Sequence, residues 1–143
     1  MWTTHHTAET DLPRDAVWAA LRELHEGRRN VPGADRFELD GPFAVGSVVN
    51  VTPAGQDTFA STIVELEDGV RYADRTEFGD IVLVFAHDLA DSASGTVVTH
   101  TLTITGDGAD ATGPVLGPQI AGDFPEAMQA LFAAAREIAE PAV

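Results

Sequence analysis

Apolar residues recur every second position in some stretches of this chain and every three to four in others, and the switch between the two periods divides it into three parts. Trp2 to Thr10 is rich in threonine and reads as a strand. Pro13 then opens a helical stretch running to Leu24, in which Val17, Leu21 and Leu24 recur at spacings of four and three, one buried face. Proline in the first turn and Gly27 just past the end fit the asymmetry of helix termini. His25, closing this helix, is expected to be solvated.

From Asp35 to Gly106 short runs are separated by turn signals at Asp40-Gly41-Pro42, Pro53-Ala54-Gly55, Glu67-Asp68-Gly69, Phe78-Gly79-Asp80 and Ser92-Ala93-Ser94-Gly95. Ile81, Leu83, Phe85, His87 and Leu89 share one face of a strand. Val98, His100, Leu102 and Ile104 share one face of the next, whose other face is nearly all threonine. This is the pattern of a half-buried antiparallel sheet. The last third returns to helix. Pro114 to Ala121 is a first segment, and Asp123-Phe124-Pro125-Glu126 reads as a fresh start with Asp123 as cap. Phe124, Met128, Leu131, Ala135 and Ile138 then form an apolar stripe suited to the concave face of the sheet. One helix kinked near Pro125 and two separate helices both fit. No repeat or linker divides the chain, so residues 1–143 are expected to form a single α+β domain.

Turn lengths predict strand pairing. A two-residue loop at Gly79-Asp80 sets Phe78 against Ile81 and Tyr72 against His87. A four-residue loop from Ser92 to Gly95 sets Asp91 against Thr96 and His87 against His100. Opposed residues project from one face, so Tyr72, His87 and His100 form a row, with Asp74 on that face opposite Phe85. His6 shares parity with Ala8 and Thr10 and is expected inward; His5 points the other way. The strand Thr58 to Leu66 stays open. A tight turn at Asp68-Gly69 turns Phe59, Ser61, Ile63 and Glu65 inward, whereas a three-residue turn with a bulge selects Thr58, Thr62, Val64 and Leu66.

Charge narrows the functions available. Twenty-three acidic residues face eight basic ones, a net charge of −15, and every base is arginine. Such a surface repels phosphate backbones and anionic lipid, which argues against nucleic-acid binding. Without lysine there is no Schiff-base chemistry, and without cysteine no disulfide or thiolate site. No apolar run approaches the ~20 residues of a membrane helix. The opening residues lack a basic stretch followed by an apolar one, so no signal peptide is expected and a cytoplasmic location is.

One helix, a strand meander and a long closing helix follow the order of the helix-grip fold. Thr10-Asp11-Leu12-Pro13 followed by Ala16-Val17-Trp18-Ala19-Ala20-Leu21 resembles the opening of the START-like superfamily, which includes polyketide cyclases and dehydrases. Gly95-Thr96-Val97-Val98-Thr99-His100 is similar to that family's last hairpin. Gly113-Pro114-Val115-Leu116-Gly117-Pro118 leading to Phe124-Pro125-Glu126-Ala127-Met128 is similar to its final helix. The resemblance implies a curved antiparallel sheet of about seven strands around the C-terminal helix, with an apolar cavity between them. It implies no particular catalytic residue, because the superfamily spans cyclases, lipid carriers, hormone receptors and activators of a chaperone ATPase.

The expected occupant of that cavity is a hydrophobic or aromatic small molecule, polyketide- or lipid-like. Trp18, Phe85, Leu102, Leu116, Ile120, Phe124 and Met128 are the expected ligand contacts. His87, His100, Tyr72 and Asp74 are the candidate catalytic groups: an imidazole exchanges protons near neutral pH, and a phenol can hold a developing enolate. The plainer alternative is that they satisfy one another in a polar corner of the core. No metal or cofactor is expected, since a metal at the row needs a third ligand from His6 or Asp74. Arg71 and Arg75 are expected at the surface. Arg28, Arg29 and Arg36 flank the loop Asn30-Val31-Pro32-Gly33, a candidate cavity rim. A non-catalytic carrier or sensor and a chaperone-activator-type interaction module are the alternatives. The oligomeric state is open, a homodimer through a free strand edge being one option.

Overall fold

The structure, a computed structural model, describes residues 1–32 and 34–140. Gly33 of the expected rim loop lies outside the described residues. Among those described, seven strands form one antiparallel sheet: β1 (Trp2–Thr10), β2 (Arg36–Asp40), β3 (Val48–Thr52), β4 (Phe59–Glu67), β5 (Arg71–Phe78), β6 (Ile81–Asp91) and β7 (Thr96–Thr105). Three helices accompany them, α1 (Arg14–Glu26), α2 (Ala109–Ala121) and α3 (Phe124–Ala139). The strand order is β1-β7-β6-β5-β4-β3-β2, so β1 and β2, neighbours in the chain, lie at opposite edges. Helix α1 makes the crossing between them and packs on α3.

The hairpins carry the expected registers. Phe78 faces Ile81 across Gly79-Asp80, and Asp91 faces Thr96 across Ser92–Gly95. Between β4 and β5 the three-residue loop Asp68-Gly69-Val70 sets Leu66 against Tyr72, and a bulge between Ile63 and Glu65 then flips the parity. Both alternatives for this strand are therefore realised, one on each side of Val64: Leu66 turns inward near the turn, Ile63 and Ser61 beyond it.

Helix α1 ends on Gly27 in the left-handed conformation (φ 83°), whose neighbour Arg28 donates to the Glu23 carbonyl at 3.0 Å. The C-terminal segment is two helices joined by Gly122 and Asp123, both with near-helical backbone angles. The break falls where Pro125 can give no amide hydrogen to the preceding turn. Asp123 occupies the capping position, but its side chain makes no capping hydrogen bond; the expected side-chain cap is absent because Asp123 has near-helical angles (φ −84°, ψ −10°) rather than the extended ones of a capping residue.

Two apolar clusters hold the layers together. The larger gathers Val17, Trp18 and Leu21 of α1, Met128, Leu131 and Ala135 of α3, and Val49, Ile63, Tyr72, Leu89 and Val98 of the sheet. The smaller joins Ile81, Leu83, Leu102 and Ile104 to Ala109 and Phe124, with Trp2, Phe85, Leu116 and Ile120 packed against it. Burying each large aliphatic side chain contributes about 1.5–3 kcal/mol.

Helix α2 seats Trp2 in a groove made by two glycines one turn apart. A Cβ on Gly113 would lie 2.6 Å from the Trp2 Cβ, and one on Gly117 would clash with Cε3, Cζ3 and Cη2 of the Trp2 indole. Alanine is the better helix former by about 1 kcal/mol, but overpacking costs about 1–3 kcal/mol. Gly117→Ala is therefore expected to lower the unfolding free energy, measured by urea titration, by up to ~2 kcal/mol. An unchanged or raised midpoint would mean that Trp2 does not sit in this groove.

Candidate functional site

Four adjacent strands, from the edge strand β1 to β5, each contribute one polar residue to a line across the sheet's concave face. Antiparallel pairing sets Tyr72 against His87, His87 against His100, and His100 against His6 on β1. The predicted row of Tyr72, His87 and His100 is thus formed, and His6 lengthens it. Apolar residues flank the line on both sides: Leu89, Val98 and Ala8 belong to the larger cluster, Phe85 and Leu102 to the smaller. The row is a polar seam between two apolar cores.

Aromatic contacts tie the seam together. The His87 and His100 rings lie 4.2 Å apart, Tyr72 and His87 5.7 Å, and Phe124 meets His100 edge-on at 5.8 Å. Tyr72 is fully buried and its hydroxyl donates to Asp74 Oδ2 at 2.9 Å. Asp74 faces Phe85 as expected and is itself buried.

His25 overturns the expectation of a solvated residue: it is only 6% exposed. Val17, Leu21 and His25 recur every fourth residue, so His25 continues the buried face of α1 rather than fraying from its end. Its ring lies 4.4 Å from that of Tyr72 and 5.3 Å from that of His87. The Leu21 carbonyl is 2.8 Å from Nδ1, which donates to it in the neutral ring, leaving Nε2 as the basic nitrogen.

Burial sets the charge states. His100 is pulled down to about 4 by desolvation, with His25 and His6 acting in the same direction. Desolvation, then the neighbouring His100 and His25, holds His87 well below its ordinary value. His25 is lowered by burial, against the opposing influence of Asp74 and the Leu21 carbonyl. Asp74 is raised by burial, with His25, Tyr72 and Ser61 resisting, and Tyr72 is raised by burial and by Asp74. At neutral pH His25, His87 and His100 are therefore uncharged imidazoles, able to accept or donate a hydrogen bond and to act as bases.

Among the described residues, five buried polar side-chain atoms have no hydrogen-bond partner: Trp18 Nε1, Ser61 Oγ, Thr76 Oγ1, His87 Nδ1 and His100 Nε2. Leaving such a group unpaired costs about 1–3 kcal/mol. Two of the five belong to the row.

The remaining expected contacts divide between the two cores. Phe85, Leu102, Leu116, Ile120 and Phe124 gather on one side of the seam, whereas Trp18 and Met128 are buried in the other cluster. The space expected between sheet and α3 is filled on that second side by Met128, Leu131 and Ala135. On the concave face, Phe85, His87 and His6 remain half-buried while Leu83 and Leu89 are covered. Two clefts, of about 440 and 480 Å³, lie away from the row. The first runs between the end of β1 and α3. The second lies between Asn30, Val31, Pro32, Ala34 and Arg36 and the β3–β4 turn, so of the three rim candidates Arg36 lines a cleft, while Arg28 and Arg29 pair with Glu26, Glu23 and Glu137. Arg71 and Arg75 lie on the outer face, Arg71 against Asp88 and Glu65 and Arg75 against Glu77. No three His, Asp or Glu side chains among the described residues are grouped to hold a metal ion.

A curved seven-stranded antiparallel sheet with a long C-terminal helix and a polar row on its concave face defines a helix-grip protein of the START-like class. The chain belongs to the polyketide cyclase / dehydrase and lipid transport family, whose model matches residues 1–140. Solved structures share the fold at low identity. Norcoclaurine synthase of Thalictrum flavum, in complex with dopamine and hydroxybenzaldehyde, matches with a TM-score of 0.71 at 14% identity, over 99% of this chain and 88% of that one. A protein of Nitrosomonas europaea gives 0.68 at 14% identity over 95% of both chains, and Ara h 8.0201 gives 0.62 at 16% over 93% of both. No curated protein matches the chain in sequence. No helix among the described residues is long and apolar enough to cross a membrane.

The depressed histidine values have a consequence for stability. Because the folded His100 has the lower pKa, the unfolded chain binds more protons between the ordinary 6.5 and about 4, so stability is present above that window and lost as pH falls through it. From pH 7 to pH 5 this one group removes about 2 kcal/mol, and His100→Gln lacks that loss. Urea titrations at the two pH values measure the difference; an equal drop in wild type and variant would show that His100 is not buried uncharged.

Proposed function

We propose that the protein binds a small hydrophobic or aromatic molecule, polyketide- or lipid-like, against the smaller core, with a ligand oxygen at His87 and His100. The observation that carries this reading is the pair of buried, unpartnered ring nitrogens on adjacent strands, His87 Nδ1 and His100 Nε2, set in an apolar wall. Phe85, Leu102, Leu116, Ile120 and Phe124 form the wall. Seven of the eight arginines are held in surface ion pairs, which favours an uncharged ligand. A related fold solved with dopamine and hydroxybenzaldehyde gives a precedent for small aromatic molecules.

The same two imidazoles suit a cyclase- or dehydratase-type reaction. One uncharged imidazole takes a proton from carbon or hydroxyl, and the imidazolium so formed returns that proton to the departing or carbonyl oxygen, while the other imidazole donates a hydrogen bond to the same oxygen. Tyr72 and Asp74, hydrogen-bonded to each other, hold the far end of the row, with the Tyr72 ring edge-on to His87. Such acid–base chemistry draws on no metal or redox cofactor, and a cytoplasmic setting suits a chain without cysteine.

Native mass spectrometry of freshly purified protein, compared with its denatured mass, is expected to reveal a small-molecule adduct. With 2-naphthol as a neutral probe, His87→Gln and His100→Gln are each expected to weaken binding about tenfold, one hydrogen bond's worth. Naphthalene, which has no oxygen, should bind all three proteins alike. Equal 2-naphthol affinities across the set would remove the histidines from the site.

A further inference from the structure

Phe43 belongs to no strand or helix, yet its ring reaches the concave face. It comes from the loop between β2 and β3 and lies flat on Tyr72, with ring centroids 5.8 Å apart and planes within 3°. Its edge meets Trp18 at 6.3 Å, and the Arg22 guanidinium sits 4.9 Å from its centre. Tyr72 beneath it is the row residue opposite His87. Phe43 thus shares with His25 of α1, 4.4 Å from Tyr72, the covering of the end of the seam that faces α1.

Two features mark this ring as a stop rather than an ordinary core residue. Its loop is fastened by its backbone: the Gly46 amide donates to the Ile63 carbonyl at 2.8 Å, and the Ile63 amide to the Ser47 carbonyl at 2.9 Å. Gly41 and Gly46 have φ of 105° and 98°, angles that residues with a side chain rarely adopt. Phe43 itself is only half-buried. The second feature is its neighbour Trp18, whose Nε1 is buried and donates to nothing. A ligand oxygen placed where the Phe43 ring now stands would find an unused donor beside it.

We propose that Phe43 ends the ligand site on the α1 side and that its size sets how long a ligand the seam accepts. The proposal rests on the seam being the binding site. With the ring removed, the site gains the space of a phenyl group and extends past Tyr72 toward Trp18, so that longer ligands are admitted than in the native protein.

The test compares two neutral fluorescent probes, 2-naphthol with two rings and Nile red with four, on wild type, Phe43→Ala and Phe43→Leu. Circular dichroism and thermal melting confirm that each variant is folded. Phe43→Leu keeps an apolar contact to Tyr72 and carries the test should the alanine variant fail to fold. Nile red affinity is expected to rise at least tenfold in Phe43→Ala and less in Phe43→Leu, with 2-naphthol affinity held within about twofold. Binding of both probes unchanged in the variants would overturn the role of Phe43 while leaving the seam as a site. Binding of neither probe to any of the proteins would overturn the seam as a site and the proposal with it.

Discussion

The short turns at Gly79-Asp80 and Ser92–Gly95 hold β5, β6 and β7 in a register that sets His87 between Tyr72 and His100, and the character of the interior follows from that pairing. A slip of one residue in either hairpin would turn the histidines to solvent and bring the outward threonines and charges into the core. Apolar neighbours enforce the register: Leu83 and Leu89 on β6, with Val98, Leu102 and Ile104 on β7, share the inward face and are all buried. The polar row is therefore held in place by the hydrophobic packing on either side of it.

That arrangement is expensive if the row has nothing to do. Several polar atoms sit unpaired in or beside it, and the desolvated histidines remain uncharged where solvated ones would titrate. An apolar residue at His87 or His100 would join the two clusters into one continuous core and remove the desolvation penalty. Burial of this kind, with perturbed ionisation beside a half-covered concave surface, is a physical ground for looking for function at the seam. Charge is arranged in the opposite way. The surface carries the net −15, and arginines spend their charge on pairs with neighbouring acids, as Arg71 does with Asp88 and Glu65.

Membership in the polyketide cyclase / dehydrase and lipid transport family locates the protein among helix-grip folds whose sheet and C-terminal helix can be adapted to different cargoes and reactions. Identities of 12–18% to solved structures mean that the fold is shared while most side chains differ. Chemistry has to be argued from those side chains. Here they are imidazoles, a phenol and a carboxyl rather than a fixed cation.

The sequence by itself determined the order of the fold, the hairpins from β5 to β7 and the row of Tyr72, His87 and His100, because period-two alternation and short turns are local signals that survive into the folded chain; α2, expected from Pro114, begins at Ala109. It also identified His6 as inward and Asp74 as opposite Phe85. His25 lay within reach of the same logic, since Val17, Leu21 and His25 share a helical face, but a histidine at a helix end reads equally well as solvated. The bulge in β4 could not be read, because both faces of that strand carry a plausible inward set and only pairing with β5 chooses where the parity changes. Phe43 was invisible for a different reason. A phenylalanine in a Gly-Pro loop has no periodicity to report its direction, and its stacking on Tyr72 depends on how the β2–β3 loop folds over the sheet. Where the interior is filled and where it stays half-open was likewise decided by tertiary structure alone, because packing depends on which side chains from distant segments meet.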